Sequence, residues 1–246
     1  MIVFLLLMVQ ERSKPLGRHR ESRDWLNTPA IGSAIEKYKK LPLTPELVND
    51  IWTTFWQEGG KRIGHTFNVP RCNCTSDELR ELWSLDRGVL LIPDEVYTPE
   101  GLILLGKMFP QITSQVLRNN TSTKNERYEG GCIIIDMDID PPYMSDDMSI
   151  SETEALKYAE TIKGKRIGKH PQRLSTYLIG SEFSHLLTGK YFDDNGTFSF
   201  LPGSRWTFDD RILLVRLGEK GNIVADVGNG DTSLGSSGVR SEWYKN

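Results

Sequence analysis

Three threonine–proline pairs in the first half of the chain constrain its fold most, because each marks the start of a helix. They are Thr28-Pro29, Thr44-Pro45 and Thr98-Pro99. A threonine side chain caps free backbone N–H groups, and proline fits the first helical position, where no N–H is needed. Leu47 and Ile51 follow the second pair with the four-residue spacing of a helix face. The sequence therefore predicts a helix-rich N-terminal half.

The second half of the chain has a different pattern. Short apolar runs at residues 198–201, 212–217 and 223–227 are separated by turn-forming residues, which is typical of β-hairpins. The run Leu174–Ile179 predicts a further strand, followed by a short helix that ends at Gly189. Together the two halves predict an α+β fold with a mainly antiparallel β-sheet in the C-terminal half.

Composition divides the 246 residues into four regions. Residues 119–130 contain no aliphatic side chain, which predicts an exposed loop or a boundary. The chain is rich in glycine and serine from Gly228 onward, which predicts an irregular tail. The predicted regions are an apolar start with a basic flexible arm (1–27), a helix-rich region (28–118), the loop or boundary (119–130) and an α+β region (131–246).

The first nine residues, Met1 to Val9, are almost wholly apolar. A helix of this length spans about 14 Å, less than half of a bilayer core. The segment lacks the basic start and the small-residue cleavage site of an export signal. Three interpretations stay open: a mis-assigned start codon, a weak interfacial anchor and a truncated signal. Membrane contact is expected only through these nine residues.

An acidic run follows a strongly apolar segment at residues 132–142. On one extended strand, Asp136, Asp138 and Asp140 would share a face, since side chains alternate with a period of two. Carboxylates are the ligands that Mg²⁺ and Mn²⁺ prefer, so the run is a candidate metal site. On an open surface two such charges, roughly 7 Å apart, repel by only about 0.6 kcal/mol. The same pattern therefore also fits a solvated sheet face that holds no metal.

A basic loop follows at residues 163–173 and contains two glycines. Glycine lets the backbone approach a phosphate group, and lysine and arginine neutralise its charge. The spacing is not that of a P-loop, because no Gly-Lys-Ser/Thr sequence follows a strand. A solvated connection explains the charges equally well. The candidate phosphate-binding residues are Lys165, Arg166, Lys169 and Arg173.

His65, Cys72 and Cys74 form a loose His-x6-Cys-x-Cys pattern. A structural zinc site takes four ligands that usually come in two pairs, and only three are visible here. The pattern therefore favours free or buried thiols over zinc. Three cysteines in the chain are also too few for a disulfide scaffold and indicate a reducing compartment.

The formal net charge of −3 gives no electrostatic reason to expect nucleic acid as a partner. No Gly-x-Ser-x-Gly motif is present, and no histidine has an obvious Ser or Cys partner. We therefore expect a cytoplasmic, non-catalytic domain that binds another macromolecule, most simply a protein. The alternatives are a phosphoryl-transfer or hydrolytic enzyme, which would hold Mg²⁺ or Mn²⁺ at the acidic run, and a peripheral membrane factor.

Overall fold

The computed structural model describes residues 24–40, 42–109, 123–125, 132–143, 150–163, 169–218, 222–227 and 236–245. Several sequence predictions concern residues outside these ranges. They are the apolar start with most of the basic arm, most of the 119–130 segment, and Lys165 and Arg166 of the basic loop.

The predicted helix starts are confirmed. Helix α1 is Pro29–Lys40, α2 Pro45–Ile63, α3 Ser76–Ser84, α4 Pro99–Met108, α5 Glu152–Lys163 and α6 Leu174–Thr188, with short 3₁₀ helices at Asp24–Asn27 and Asp94–Tyr97. The hydroxyl oxygen of Thr44 accepts a hydrogen bond from the Leu47 N–H, and that of Thr98 accepts one from Gly101. Helix α2 is terminated by Gly64, whose φ of 71° is left-handed.

The strands form two sheets. They are β1 (Arg87–Leu90), β2 (Thr123–Asn125), β3 (Cys132–Asp136), β4 (Lys169–Pro171), β5 (Phe198–Trp206), β6 (Ile212–Leu217), β7 (Ile223–Val227), β8 (Ser237–Val239) and β9 (Ser241–Lys245). The first sheet has the order β1-β3-β9-β4 and is antiparallel throughout. The second has the order β2-β5-β6-β7, with β8 parallel to β5. The predicted α+β class, with mainly antiparallel sheets, is therefore confirmed.

The predicted strand at Leu174–Ile179 is wrong, because these residues form the first turns of helix α6. Every residue from Leu174 to Ser184 is buried, so the helix has no solvated face to reveal a helical period. A continuous apolar run of this kind fits a buried strand and a buried helix equally well. The predicted end is correct, since Gly189 terminates the helix with a φ of 80°.

The prediction of an irregular C-terminal tail is wrong for residues 237–245, which form β8 and β9. Strand β9 pairs with β3 on one side and β4 on the other, so it lies inside the first sheet. Residues 228–238 are rich in glycine and serine, which predicted an irregular tail. The prediction is wrong because pairing with neighbouring strands outweighs local strand propensity.

The main hydrophobic core contains residues from both halves of the chain. Trp52 and Trp56 of α2 are almost fully buried, as expected for the apolar face of that helix. Their indole N–H groups donate to the carbonyl oxygens of Val89 and Leu91, at 2.9 and 2.7 Å. These bonds fix α2 against β1 and the residues after it, while satisfying the buried polar end of each indole. Among the described residues, no helix has the length and apolar character needed to cross a membrane.

Candidate functional site

The acidic run does not form the predicted ladder on one strand. Strand β3 ends at Asp136, and the residues after it leave the sheet. The guanidinium of Arg240 donates to the backbone carbonyl oxygens of Asp138 and Ile139, at 2.9 and 2.5 Å. These carbonyls therefore bond to a side chain and not to a neighbouring strand. The three aspartates consequently lie in three different environments.

Asp136 is half-buried at the end of β3, and its carboxylate lies 3.5 Å from the Arg87 guanidinium. Burial raises the pKa of Asp136 above its ordinary value, while Arg87 and Lys169 oppose the shift. Arg87 and Lys169 each also lie over the ring of Trp243, at 4.5 and 5.0 Å from the ring centroid. One carboxylate, two cations and an aromatic ring therefore form a compact group on the first sheet.

Asp138 is exposed, whereas Asp140 is engaged by the turn that precedes β5. The carboxylate of Asp140 accepts hydrogen bonds from the Asn195 amide at 2.9 Å and from the Thr197 hydroxyl at 3.0 Å. The same Thr197 hydroxyl lies 3.0 Å from the buried carboxylate of Asp193. The contacts of Asp140 thus serve to fasten the acidic run to the turn. The proposed Mg²⁺ or Mn²⁺ site at the three aspartates stays a prediction.

Two of the four candidate phosphate-binding residues, Lys169 and Arg173, are described, and both already contact protein groups. Lys169 donates to the Tyr158 hydroxyl at 3.0 Å, beside its contact with Trp243. Arg173 has only 2% of its side chain exposed, and its guanidinium donates to Glu242 at 2.7 Å. Its guanidinium also stacks on Tyr97 at 3.3 Å from the ring centroid. Arg173 thus joins α6 to β9, and phosphate binding by the loop stays a prediction.

A cleft opens beside the acidic run, where α1, the end of α3, β1, the residue after β3 and the end of α6 meet. It has a volume of about 320 Å³, and we call it the Trp83 cleft. It is lined by Lys39, Trp83, Asp86, Arg87, Met137, Leu187 and Thr188. Trp83, Met137 and Leu187 are its apolar lining side chains, and Lys39, Asp86 and Arg87 are its charged ones. This is the composition of a recognition site for an apolar group with a charged neighbour.

Trp83 is the most informative residue of the cleft, because 44% of this large ring is exposed. It packs edge-on against the buried Tyr38 ring, with the two centroids 5.3 Å apart, so its position is fixed. Leu85, two residues on, is 52% exposed. Tryptophan is enriched among the residues that contribute most to protein interfaces.

The backbone beside Trp83 is strained. Asp86 has a φ of 53°, in the left-handed region that non-glycine residues seldom occupy. Its carbonyl accepts a hydrogen bond from the Met137 N–H at 2.9 Å, which ties the turn before β1 to the end of β3. Backbone strain of this kind persists where the surroundings enforce it, and it is concentrated at functional sites. The turn therefore presents Trp83 and Leu85 on a rigid support.

The structure also brings together three thiols that the sequence separates. Cys72 and Cys74 lie in the loop before α3, and Cys132 is the first residue of β3. Their sulfur atoms all lie within 4.8 Å of one another, and those of Cys72 and Cys132 are 3.5 Å apart. In the described part of the chain, this is the single group of three or more potential metal ligands so arranged. We call it the thiol cluster.

The three thiols are free, and they influence one another. The neighbouring thiols of Cys72 and Cys74 hold the pKa of Cys132 well below its ordinary value, and the Asn73 N–H contributes by donating to its sulfur at 3.3 Å. The pKa values of Cys72 and Cys74 are raised in turn. One sulfur of the cluster is therefore the preferred site of negative charge.

Sequence reasoning missed Cys132 as a partner of Cys72 and Cys74, since no spacing rule joins residues so distant in the chain. His65, which the local pattern included, lies elsewhere and is 3.0 Å from the Glu95 carboxylate. The Trp83 cleft and the thiol cluster are thus brought together by the fold from residues that are distant in the chain. Their function has to be argued from geometry, because no family model, no curated protein and no solved structure matches this chain.

Proposed function

We propose that this protein is a non-catalytic domain that binds another protein through the Trp83 cleft. The observation that carries the proposal is the half-exposed Trp83 ring, which is fixed by Tyr38 at the edge of an apolar cleft. A large exposed ring that is already held in place loses little freedom on binding. Contact with such a ring therefore costs less entropy than contact with a mobile side chain.

The chemistry of the cleft specifies the segment that would occupy it. A volume of about 320 Å³ is at the lower end of ligand pockets, so it suits one or two apolar side chains better than a large cofactor. Lys39 is exposed at the edge, where it would attract an acidic residue. The proposed ligand is a protein segment in which an apolar side chain enters the cleft and a neighbouring carboxylate meets Lys39.

The three free thiols support a cytoplasmic location for this interaction, because a reducing compartment keeps cysteines unpaired. Nucleic acid is not the proposed partner, since a net charge of −3 does not attract phosphate backbones.

Photo-crosslinking in the cells that make the protein tests the proposal. A photoreactive amino acid in place of Leu85 should yield one discrete crosslinked protein, because Leu85 is exposed next to the cleft. Adding Trp83→Ala to the same chain should abolish that product. The matched control carries the photoreactive residue in place of Phe208, which is 78% exposed but does not line the cleft.

Two results would contradict the proposal. One is the same crosslinked product from positions 85 and 208, which would indicate random collisions. The other is a product from position 85 that persists at full yield when Trp83 is replaced.

A further inference from the structure

We propose that the thiol cluster is a zinc site in which Cys72, Cys74 and Cys132 supply three thiolate ligands. This inference is independent of the proposed protein-binding function, because none of the three cysteines lines the Trp83 cleft. It assigns to the chain a metal ion that the sequence pattern by itself disfavoured.

The spacing of the sulfur atoms fits zinc. Zinc–sulfur bonds are about 2.3 Å long, so two sulfurs of a tetrahedral site lie about 3.8 Å apart. The sulfurs of Cys72 and Cys132 are 3.5 Å apart, and all three sulfurs lie within 4.8 Å of one another. Changes of at most about 1 Å in the sulfur–sulfur separations would bring them to bonding geometry. An ion at their centre would replace close contact among three sulfurs with three strong bonds.

The loop that carries two of the ligands is held in position by other contacts. The Cys72 N–H donates to the Asn49 side chain of α2 at 2.8 Å, and the Asn73 amide donates to the Lys245 carbonyl of β9 at 2.9 Å. Thr75 and Glu78 form a complete capping box at the start of α3. The cluster is therefore preorganised, which lowers the entropy cost of binding a metal.

The groups around the thiol cluster would stabilise the negative charge of metal-bound thiolates. The Asn73 N–H points at the Cys132 sulfur from 3.3 Å, and such a donor supports the charge of a coordinating thiolate. The Lys245 ammonium, which contacts Glu78, lies close enough to Cys74 and Cys132 to interact electrostatically with both. Three thiolates around Zn²⁺ leave one net negative charge, which a nearby cation stabilises.

The exposure of Cys72 identifies the open side of the site. Cys74 and Cys132 are buried, whereas Cys72 is partly exposed. Zinc prefers four ligands, and water can reach the fourth position from this side. Cu⁺ also favours thiolates, but it does not need that fourth ligand. The open side therefore favours zinc with three cysteines and one water molecule.

Titration of the reduced full-length protein with Co²⁺ tests the site, because cobalt takes the same geometry as zinc and is coloured. We expect one equivalent of Co²⁺ to produce a thiolate-to-metal charge-transfer band and the intense visible bands of a tetrahedral ion. One equivalent of Zn²⁺ should remove both. Zn²⁺ should also raise the Tm, because a ligand that binds only the folded chain stabilises it.

Variants identify the ligands. Loss of a residue that only hydrogen-bonds to a ligand already weakens metal binding by up to about 100-fold. Loss of a ligand itself, in Cys132→Ser, should therefore weaken Co²⁺ binding by at least about 100-fold. The control is His65→Ala, which removes the histidine of the local sequence pattern. It should leave binding unchanged, because the His65 ring lies against Glu95 and outside the cluster.

A measurement on the wild-type chain does not depend on how the variants fold. Zn²⁺ should protect the partly exposed Cys72 from alkylation under native conditions, and a chelator should restore the reaction. The proposal is overturned if the protein with three free thiols takes up neither Co²⁺ nor Zn²⁺. Binding of Cu⁺ alone, unchanged alkylation of Cys72 in the presence of Zn²⁺, or weaker binding in His65→Ala would each also overturn it.

Discussion

The carboxylate of Asp136 lies where burial disfavours its charge, and Arg87 offsets this only in part. Its pKa in the folded chain is raised above the ordinary value of 3.8. Between these two values the folded state binds more protons than the unfolded chain. The contribution of Asp136 to stability is therefore fully present below pH 3.8 and is lost as the pH rises through the raised pKa.

We accordingly expect the stability of the wild type relative to Asp136→Asn to fall as the pH rises from 3.8 through the raised pKa of Asp136. Urea unfolding of both proteins across this range measures the difference. Asp138→Asn, which removes an exposed carboxylate from the same segment, controls for the loss of one negative charge. A wild type that gained stability over Asp136→Asn as the pH rose would contradict the burial argument.

A second prediction concerns the buried ion pair of Arg173 and Glu242, each at most 2% exposed. Replacing one partner leaves the other charge buried without its counter-ion. Glu242→Gln should therefore lower the free energy of unfolding by about 3–5 kcal/mol. The matched control is Glu36→Gln, which breaks an exposed pair with Lys40 and should cause no measurable change. Equal effects of the two substitutions in urea unfolding would show that burial of the pair does not matter.

The helix caps could be predicted from the sequence, whereas the grouping of the three proposed zinc ligands could not. A cap such as Thr98 acts on an N–H three residues away, so local spacing is enough to predict it. Cys132 meets Cys72 only because β3 lies next to the loop before α3, and no local pattern carries that information. The acidic run was visible as a pattern, but Arg240 determines the path of its backbone from the far end of the chain.

Among the elements, helix α4 contains two glycines whose surroundings differ. A Cβ atom on Gly101 would collide with the backbone of Glu95 and Val96 in the preceding 3₁₀ helix, whereas one on Gly106 would meet nothing within 4 Å. Gly106→Ala should therefore raise the free energy of unfolding by about 0.5–1 kcal/mol, since alanine is the better helix former.

Gly101→Ala should instead lower the free energy of unfolding, by about 1–3 kcal/mol, because the two helices must move apart. The midpoints of urea unfolding for the two variants check this contrast. Helix propensity is the same in both substitutions, so two changes of the same sign would mean that α4 does not pack against residues 94–97 as described.

The helices also differ in how well they could be predicted from the sequence. Helices α1 and α4 have caps and one apolar face, and both were predicted with the correct start. Helix α6 is buried on all sides from Leu174 to Ser184, so its apolar run carries no helical period. Whether this segment forms a helix or a strand is decided by the residues that surround it.

At the scale of the whole molecule, strands that are far apart in the chain share one sheet. Strand β1 begins at Arg87 and β9 ends at Lys245, yet only β3 separates them in the first sheet. The α+β class followed from the distribution of helix and strand signals along the chain. The strand order did not, because pairing is selected by burial and by complementary edges that only the folded chain presents.

This arrangement also explains why the proposed binding surface is rigid. The Trp83 cleft is lined by residues of β1 and of the segment after β3, together with residues of α1, α3 and α6. Trp56 and Trp52 bind the backbone at β1, and Arg240 binds the backbone after β3. The surface is therefore supported from several elements and should change little when a partner binds.

The affinity of the crosslinked partner for three versions of this protein tests the central claim most directly. Isothermal titration should show that Trp83→Ala weakens binding about 30-fold, which corresponds to about 2 kcal/mol. Phe208→Ala, which removes a more exposed ring outside the cleft, should change the affinity less than about 2-fold. An unchanged Kd for a folded Trp83→Ala protein, or an equal loss for Phe208→Ala, would contradict binding through the Trp83 cleft.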